Sequence, residues 1–381
     1  MKARNFNSLI RSITNNKDTI GLHSPIFSGN EKKYINQTID STYVSSVGKF
    51  VDKFEKNIST LTKSKYCIAT VNGTSAIHIA LILGNVKPND EVLTQALSFV
   101  ATSNAISYLN ARPIFIDVDI DTMGMSPSAL ASFLEEFGEK RETGTYNKLT
   151  GKKISACLPM HTFGFMSRID EIKTICDNWN INLLEDSAEA LGSKYKGKYS
   201  GTFGLLSAYS FNGNKIITSG GGGCITTQNE KLFKRGKHIS STAKTSDNYD
   251  YIHDEVGYNY RMPNINAALA CAQLESFQKI IDNKKELYEL YAQELPSIGI
   301  ELAAIPKGTS WNYWLIPIIL ESKKERDLFL KETNNHKIIT RPIWTLLYKL
   351  PMYTHCQRDS QKNALILEST IVNIPSNVRI K

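Results

Sequence analysis

Cysteine is sparse and scattered in this chain. The six residues Cys67, Cys157, Cys176, Cys224, Cys271 and Cys356 contain no Cys-x-x-Cys pair, which argues against structural zinc and a disulfide framework. No run approaches the roughly 20 consecutive apolar residues that span a bilayer. Met1 to Thr19 is polar and lacks the apolar stretch of a secretory signal. A cytoplasmic location without a membrane partner is therefore expected. Two nucleotide signatures are also missing. There is no Gly-x-x-x-x-Gly-Lys-Ser/Thr, so triphosphate hydrolysis is not indicated, and no Gly-x-Gly-x-x-Gly follows the first strand. No second histidine lies at metal-ligand spacing from His161, so no metal is expected.

The composition is ordinary for a globular protein: 381 residues, 41% hydrophobic and 22% charged, enough for one large core and a smaller second one. The net charge of +8 favours anionic partners. The basic residues are dispersed, however. The densest group, Lys231 to Lys237, is interleaved with apolar residues at helical spacing and reads as a solvated helix face. With no helix-turn-helix or zinc-finger spacing, phosphorylated small molecules fit this charge better than nucleic acid.

From Tyr66 onward, apolar runs of four to seven residues alternate with helical patterns. Strands are expected over Tyr66–Val71, Glu91–Thr94, Pro113–Val118, Ile154–Pro159 and Ile181–Leu184. Helices are expected after Asn72-Gly73-Thr74, over Val100–Leu109, from about Ser126 and over Asp170–Trp179. This alternation signals βαβ units and a mostly parallel sheet, α/β in class. Such sheets gather ligands at the carboxyl ends of their strands. A long helix over Ile265–Leu295 is expected to bridge to a smaller C-terminal domain, with Tyr313–Leu320 as one of its strands. The expected divisions are an N-terminal arm over 1–21, poorly ordered or partner-binding, a large domain over 22–255 and a linking helix with the small domain over 256–381.

Several strand ends carry chemistry. Asp186 ends an apolar run, and Lys215 lies 29 positions later, five past Ser210 and ahead of the four glycines Gly220 to Gly223. A carboxylate and a lysine so placed are what pyridoxal phosphate needs. The acid keeps the pyridine nitrogen protonated and the lysine forms a Schiff base. Gly73, Thr74 and Ser75 open a helix after a strand, where backbone N–H groups and hydroxyls suit a phosphate, although an ordinary N-cap is the commoner reason for such residues. Ser210 offers another hydroxyl. Phe99 stands where a ring could stack on the pyridine, or where a core phenylalanine would sit. Glu189 could share a face with Asp186 and touch the ring-hydroxyl side. His161 lines the same pocket or is a satisfied structural histidine. Ser46, His161 and Tyr313 are the candidate substrate contacts.

Five separated blocks share one resemblance: Asn72-Gly73-Thr74-Ser75-Ala76, Ser98-Phe99-Val100-Ala101-Thr102, Glu185-Asp186-Ser187-Ala188-Glu189-Ala190, Ser210-Phe211 with Lys215, and Gly257-Tyr258-Asn259-Tyr260-Arg261-Met262. From about residue 22 to the end the chain resembles the DegT/DnrJ/StrS-type sugar-nucleotide aminotransferases. The resemblance implies the fold-type I architecture of pyridoxal phosphate enzymes. It implies Lys215 as the covalent lysine and proton carrier, Asp186 as the partner of the pyridine nitrogen, Phe99 as the stacking ring, and Thr74, Ser75 and Ser210 as phosphate contacts. Glu189 occupies a position often held by glutamine. Asn259 resembles a residue that reaches the neighbouring subunit's cofactor, which implies a homodimer with shared sites. The implied reaction moves an amino group from L-glutamate to the 4-keto carbon of a nucleotide-linked 4-keto-6-deoxy sugar. Leu22-His23-Ser24-Pro25 and Val44-Ser45-Ser46-Val47-Gly48-Lys49 are similar to members acting on UDP-4-keto-6-deoxy-N-acetylhexosamines, on routes to legionaminic-acid-type or bacillosamine-type sugars. A cofactor-dependent sugar dehydratase and a non-catalytic regulator remain the alternatives. Lysine rather than histidine at position 215 argues against the first.

Overall fold

Most of the short apolar runs become strands of one nine-stranded sheet. A computed structural model describes residues 2–16, 18–245 and 249–379. The strands are β1 (Tyr66–Thr70), β2 (Glu91–Gln95), β3 (Arg112–Ile116), β4 (Gly138–Arg141), β5 (Gly144–Asn147), β6 (Lys153–Cys157), β7 (Asn182–Asp186), β8 (Leu206–Ser210) and β9 (Gly223–Thr227). The main path is β1-β9-β8-β7-β6-β2-β3, and the β4–β5 hairpin joins β6. Strands β8, β7, β6, β2 and β3 pair in parallel, while β9 is antiparallel to both β1 and β8. β1 therefore points with the parallel set, and β9 alone on this path is reversed. The expected mostly parallel sheet is what forms.

Both faces of the sheet are covered, and adjacent residues show it. Successive side chains of a strand point to opposite faces. Val92, Ala156 and Leu184 join one apolar cluster, with Ile77, Leu81, Ile106 and Ile239 from the helices Gly73–Leu83, Ala101–Tyr108 and Glu230–Ser240. Their neighbours Leu93, Cys157 and Leu183 join another, with Leu130, Phe133, Ile172 and Cys176 from the helices Pro127–Phe137 and Ile169–Asn178. The helix Gly73–Leu83 is apolar nearly all round and almost wholly buried, as a helix enclosed on every side must be.

Three expectations are corrected. The N-terminal segment is not a loose arm. Lys2–Thr14 is a helix that buries Phe6 and Ile10. The Phe6 ring lies 5.0 Å from Phe329, and Lys2 pairs with Glu321 at 2.8 Å and Glu325 at 2.9 Å. Ile20 then bridges to Ile338 in parallel. The polar appearance of the segment hid an apolar stripe of two phenylalanine- and isoleucine-bearing turns. Met1 and Lys17 of that expected arm, and Ile380–Lys381 of the expected C-terminal domain, lie outside the described residues. The long helix is two, Asn264–Glu275 and Phe277–Glu294, broken where Ser276 leaves helical geometry at φ −97°, ψ 1°. The expected strand over Tyr313–Leu320 contracts to four residues because Tyr313 takes a left-handed φ of 56°.

That strand belongs to a small antiparallel sheet of β10 (Glu301–Leu302), β11 (Ile316–Ile319), β12 (Arg341–Pro342) and β13 (Ile371–Ile374), ordered β10-β11-β13-β12. Among the described residues, no helix is long and apolar enough to cross a membrane.

Candidate active site

The carboxyl ends of β1, β7 and β8 converge on a cavity of about 670 Å³. Its wall includes Gly73, Thr74, Phe99, Asp186, Glu189, Ser210 and Lys215. The topology explains the meeting. β1, β8 and β7 point the same way, so the turn after β1, the end of β7 and the loop after β8 all emerge on one edge.

The turn after β1 is built for an anion. Asn72 caps the helix Gly73–Leu83, its side chain accepting from Ser75 N at 2.8 Å, and its carbonyl accepts from Ala76 N at 3.1 Å. The N–H groups of Gly73 and Thr74 have no acceptor among the described residues, and they stand at the positive end of the helix dipole. Glycine is required here. A Cβ on Gly73 would fall 2.7 Å from Cβ of Ser210, the residue that lines the cavity from β8. The same crowding accounts for the last of the four glycines. A Cβ on Gly223 would lie 2.4 Å from the carbonyl carbon and oxygen of Asn72, so only glycine lets β9 press against this turn.

Strand alternation separates Glu185 from Asp186. Glu185 faces away from the cavity, accepting from Gly201 N, Phe203 N and Gly204 N at 2.9, 2.8 and 2.7 Å. It also meets Nε2 of His161 at 3.1 Å. His161 is fully buried there, with Ser167 N donating to its Nδ1. The sequence expectation that His161 touches substrate is thereby corrected: its ring nitrogens are both engaged behind the cavity. Asp186 faces the cavity. Thr102 Oγ1 donates to its Oδ2 at 2.7 Å and Ala188 N to its Oδ1 at 3.1 Å. Burial raises the pKa of this carboxyl despite those donors, because ionisation in a low-dielectric site is unfavourable.

Lys215 enters the same space. Its Nζ meets Oε1 of Glu189 at 3.2 Å and lies 4.3 Å from the ring centroid of Trp314. Trp314 is fixed by its own indole N–H, which donates to the Asn214 carbonyl at 2.7 Å. Glu189 Oε2 accepts from Phe163 N at 2.9 Å. Burial pushes the Glu189 pKa up to about 7, against the opposing pull of Lys215.

That shift has a stability consequence. The folded value lies above the unfolded one, so the folded chain keeps a proton that the unfolded chain releases between the two. The stabilisation is complete below the unfolded value and is lost as pH rises through about 7. Glutamine mimics the neutral acid. Glu189→Gln is therefore expected to match the wild type near pH 5 and to exceed it above pH 7, by on the order of 2–3 kcal/mol. Denaturant melts of protein freed of small ligands at both pH values check this. Parallel pH dependences in the two proteins would contradict it.

The remaining expected residues divide. Phe99 lines the cavity with half its surface exposed. Ser75 is buried behind the turn, outside the cavity wall. Tyr313 packs on Tyr288 and Trp311 rather than lining the cavity, and Ser46 is also outside it, its carbonyl taking a hydrogen bond from Arg261. Asn259 is exposed and away from the wall of its own chain's cavity. Sequence reasoning missed Trp314, Arg341, Trp344 and Asn373, all of which line the cavity from the C-terminal part of the chain. Nothing local marks them, since only the packing of the small sheet against the large one brings them there.

The cavity fits pyridoxal phosphate on its own features: a helix start whose Gly73 and Thr74 N–H groups are unpaired among the described residues, a buried acid without a cationic contact among them, and a lysine amine within the same wall. The comparisons with known proteins agree. Residues 25–381 match the DegT/DnrJ/EryC1/StrS aminotransferase family. GDP-perosamine synthase of Escherichia coli O157:H7 is 35% identical over 335 residues, 88% of this chain and 87% of that protein. The putative pyridoxal phosphate-dependent aminotransferase EpsN of Bacillus subtilis is also 35% identical over 335 residues, 88% of this chain and 84% of its own. The crystal structure of the aminotransferase TlmJ from Streptoalloteichus hindustanus superposes with a TM-score of 0.85 at 21% identity, covering 95% of each chain. The chain belongs to the DegT/DnrJ/EryC1/StrS aminotransferase family, and pyridoxal 5′-phosphate is its cofactor.

Proposed function

We propose that the protein transfers an amino group from L-glutamate to the 4-keto carbon of a nucleotide-linked 4-keto-6-deoxy sugar, with a UDP-linked N-acetylhexosamine as the first choice. The observation that carries the reading is the meeting of Lys215, Asp186 and the Gly73–Thr74 helix start in one cavity. The family match supports amino transfer, and the relatives named for GDP-perosamine synthesis support a nucleotide sugar as acceptor. Those same relatives favour a GDP-linked ketosugar as the second reading. The net charge of +8 suits a diphosphate in either case.

Each residue has a task. Gly73 and Thr74 N–H groups, with the Thr74 and Ser210 hydroxyls, would hold the phosphate. Asp186 would stay ionised against the ring nitrogen, Phe99 would cover one ring face and Glu189 would stand by the ring hydroxyl. When bound, the cofactor supplies an electron sink for the pair left as a C–H bond breaks. Lys215 Nζ takes the proton from the donor carbon and returns a proton to the acceptor carbon. Trp314 shields that amine from water on one side. The exposed Asn259, together with Tyr251 at 82% and Val256 at 83% exposure, supports a homodimer in which Asn259 reaches the partner's site.

The test is a panel of UDP-, GDP- and TDP-linked 4-keto-6-deoxy sugars, each incubated with L-glutamate and read by mass. The expected result is an aminosugar formed in step with 2-oxoglutarate. Loss of a sugar hydroxyl without amine gain would establish the dehydratase, and no product from any ketosugar would leave a regulator.

A further inference from the structure

The sugar carbon that reacts must come within reach of Lys215, so the groups around that amine meet the sugar ring and its substituents. One line of contacts leads from Lys215 to the C-terminal wall. Its Nζ meets Glu189 Oε1 at 3.2 Å, and Glu189 Oε2 accepts from Phe163 N at 2.9 Å. The Phe163 ring centroid lies 5.0 Å from that of Trp344, with the planes 40° apart. Phe163 and Trp344 both line the cavity.

Phe163 gives Trp344 a rigid backing. It takes a left-handed φ of 55°, uncommon for so bulky a residue, and is held at both ends. Its N–H goes to Glu189, and its carbonyl accepts from Trp311 Nε1 at 2.8 Å. Strain held in place by its surroundings in this way is typical of binding sites. Trp344 is half-buried on this support. Three tryptophans stand near one another here, and they differ in one respect. The indole N–H of Trp311 goes to the Phe163 carbonyl and that of Trp314 to the Asn214 carbonyl. The N–H of Trp344 has no acceptor among the described residues and is not sealed off by protein. A ligand that covers this ring must therefore bring an acceptor, or leave the donor unmet.

We propose that Trp344 receives the 2-acetamido group of the acceptor sugar and so selects an N-acetylhexosamine over a plain deoxyhexose. This deepens the reading of a UDP-linked N-acetylhexosamine as acceptor and rests on it. An acetamido group carries a methyl for the ring face and a carbonyl for the N–H. A hydroxyl has the acceptor but nothing apolar to bury, and the 6-methyl group has no acceptor. A nucleotide base could also lie on an indole. The base is separated from the reacting carbon by the hexose ring, a diphosphate and a ribose, however, whereas Trp344 is joined to Lys215 through only Glu189 and Phe163.

Equilibrium binding tests this without turnover. UDP-N-acetylglucosamine and UDP-glucose have a 4-hydroxyl in place of the ketone and differ only at C2. Each is titrated by calorimetry into the holoenzyme, with UDP titrated alone. The wild type is expected to prefer the acetamido sugar by about 10- to 100-fold, the range for one apolar group in a fitted pocket. Trp344→Phe keeps a ring and removes the N–H, and should lower that preference by about 3- to 10-fold. Trp344→Ala should remove most of it, with UDP and UDP-glucose binding as to the wild type. A merely structural role would weaken all three ligands together and leave the ratio unchanged. Equal affinity of the wild type for the two sugars, a ratio unmoved in both variants, or a loss of UDP affinity in Trp344→Ala that matches the loss for the acetamido sugar would each overturn the proposal. Amination of a GDP-linked ketosugar by a wild type that binds neither UDP-sugar would overturn it together with the UDP-linked acceptor, and would leave amino transfer standing. If the preference behaves as expected while no ketosugar is aminated, amino transfer fails and the acetamido contact stands.

Discussion

Lys215→Ala is expected to lose about four orders of magnitude in turnover, the upper range for removing a positioned proton carrier, while folding as the wild type does. The side chain touches little that the fold depends on. Its amine contacts Glu189 and the face of Trp314, both of which keep other anchors in Phe163 N and the Asn214 carbonyl. Removing the cation deepens the preference of Glu189 for its neutral form, so no buried charge is stranded. The variant should also release its cofactor on desalting, where the wild type retains it. Amine formation in single-turnover assays, with circular dichroism to confirm the fold, gives the measurement. Normal transamination by this variant would remove Lys215 from the mechanism.

Asp186→Asn should separate activity from stability. Asparagine keeps an acceptor for Ala188 N and presents its amide N–H to Thr102 Oγ1, a hydroxyl that can turn to accept, but removes the charge. The buried carboxylate is disfavoured in the protein alone, as the upward shift of its pKa records. Its contribution is complete below the unfolded carboxylate value and is lost as pH rises through the folded one. At pH 7 the variant without cofactor is therefore expected to melt higher than the wild type. Turnover should fall by about 10²- to 10³-fold, because a preorganised charge at the ring nitrogen is gone. The holoprotein should lose cofactor on dilution sooner than the wild type. A variant that is both less stable and fully active would contradict the placement of this acid.

The legibility of this chain follows the range of its interactions. Local devices were readable: the Asn72-Gly73 turn, the acid ending β7 and the lysine after β8 each carry their chemistry within a few residues, and strand order delivers them to one edge. The period-two rule of a strand also decided between Glu185 and Asp186, but only once the faces were known. The role first expected of His161 failed for that reason. From sequence it follows a strand end just as Asp186 does, and nothing local says that Glu185 waits behind the sheet to bind it. Ser75 looked equivalent to Thr74, yet the helix turns its side chain inward. The C-terminal wall was silent. Arg341, Trp314 and Asn373 lie 126, 99 and 158 positions beyond Lys215, and no motif spans such distances. The N-terminal helix was missed because two apolar residues, Phe6 and Ile10, suffice to dock it once Phe329 is opposite.

The most direct test is where the cofactor attaches. Holoenzyme is reduced with borohydride, digested and mapped by mass. The pyridoxyl group is expected on the peptide that carries Lys215 and on no other. A second buried amine makes the test a sharp one: Lys284 is wholly enclosed, and burial holds its pKa well below that of an ordinary lysine. Its Nζ donates to the Ser376 carbonyl and it does not line the cavity. A label on Lys284, or on any lysine other than Lys215, would contradict the account.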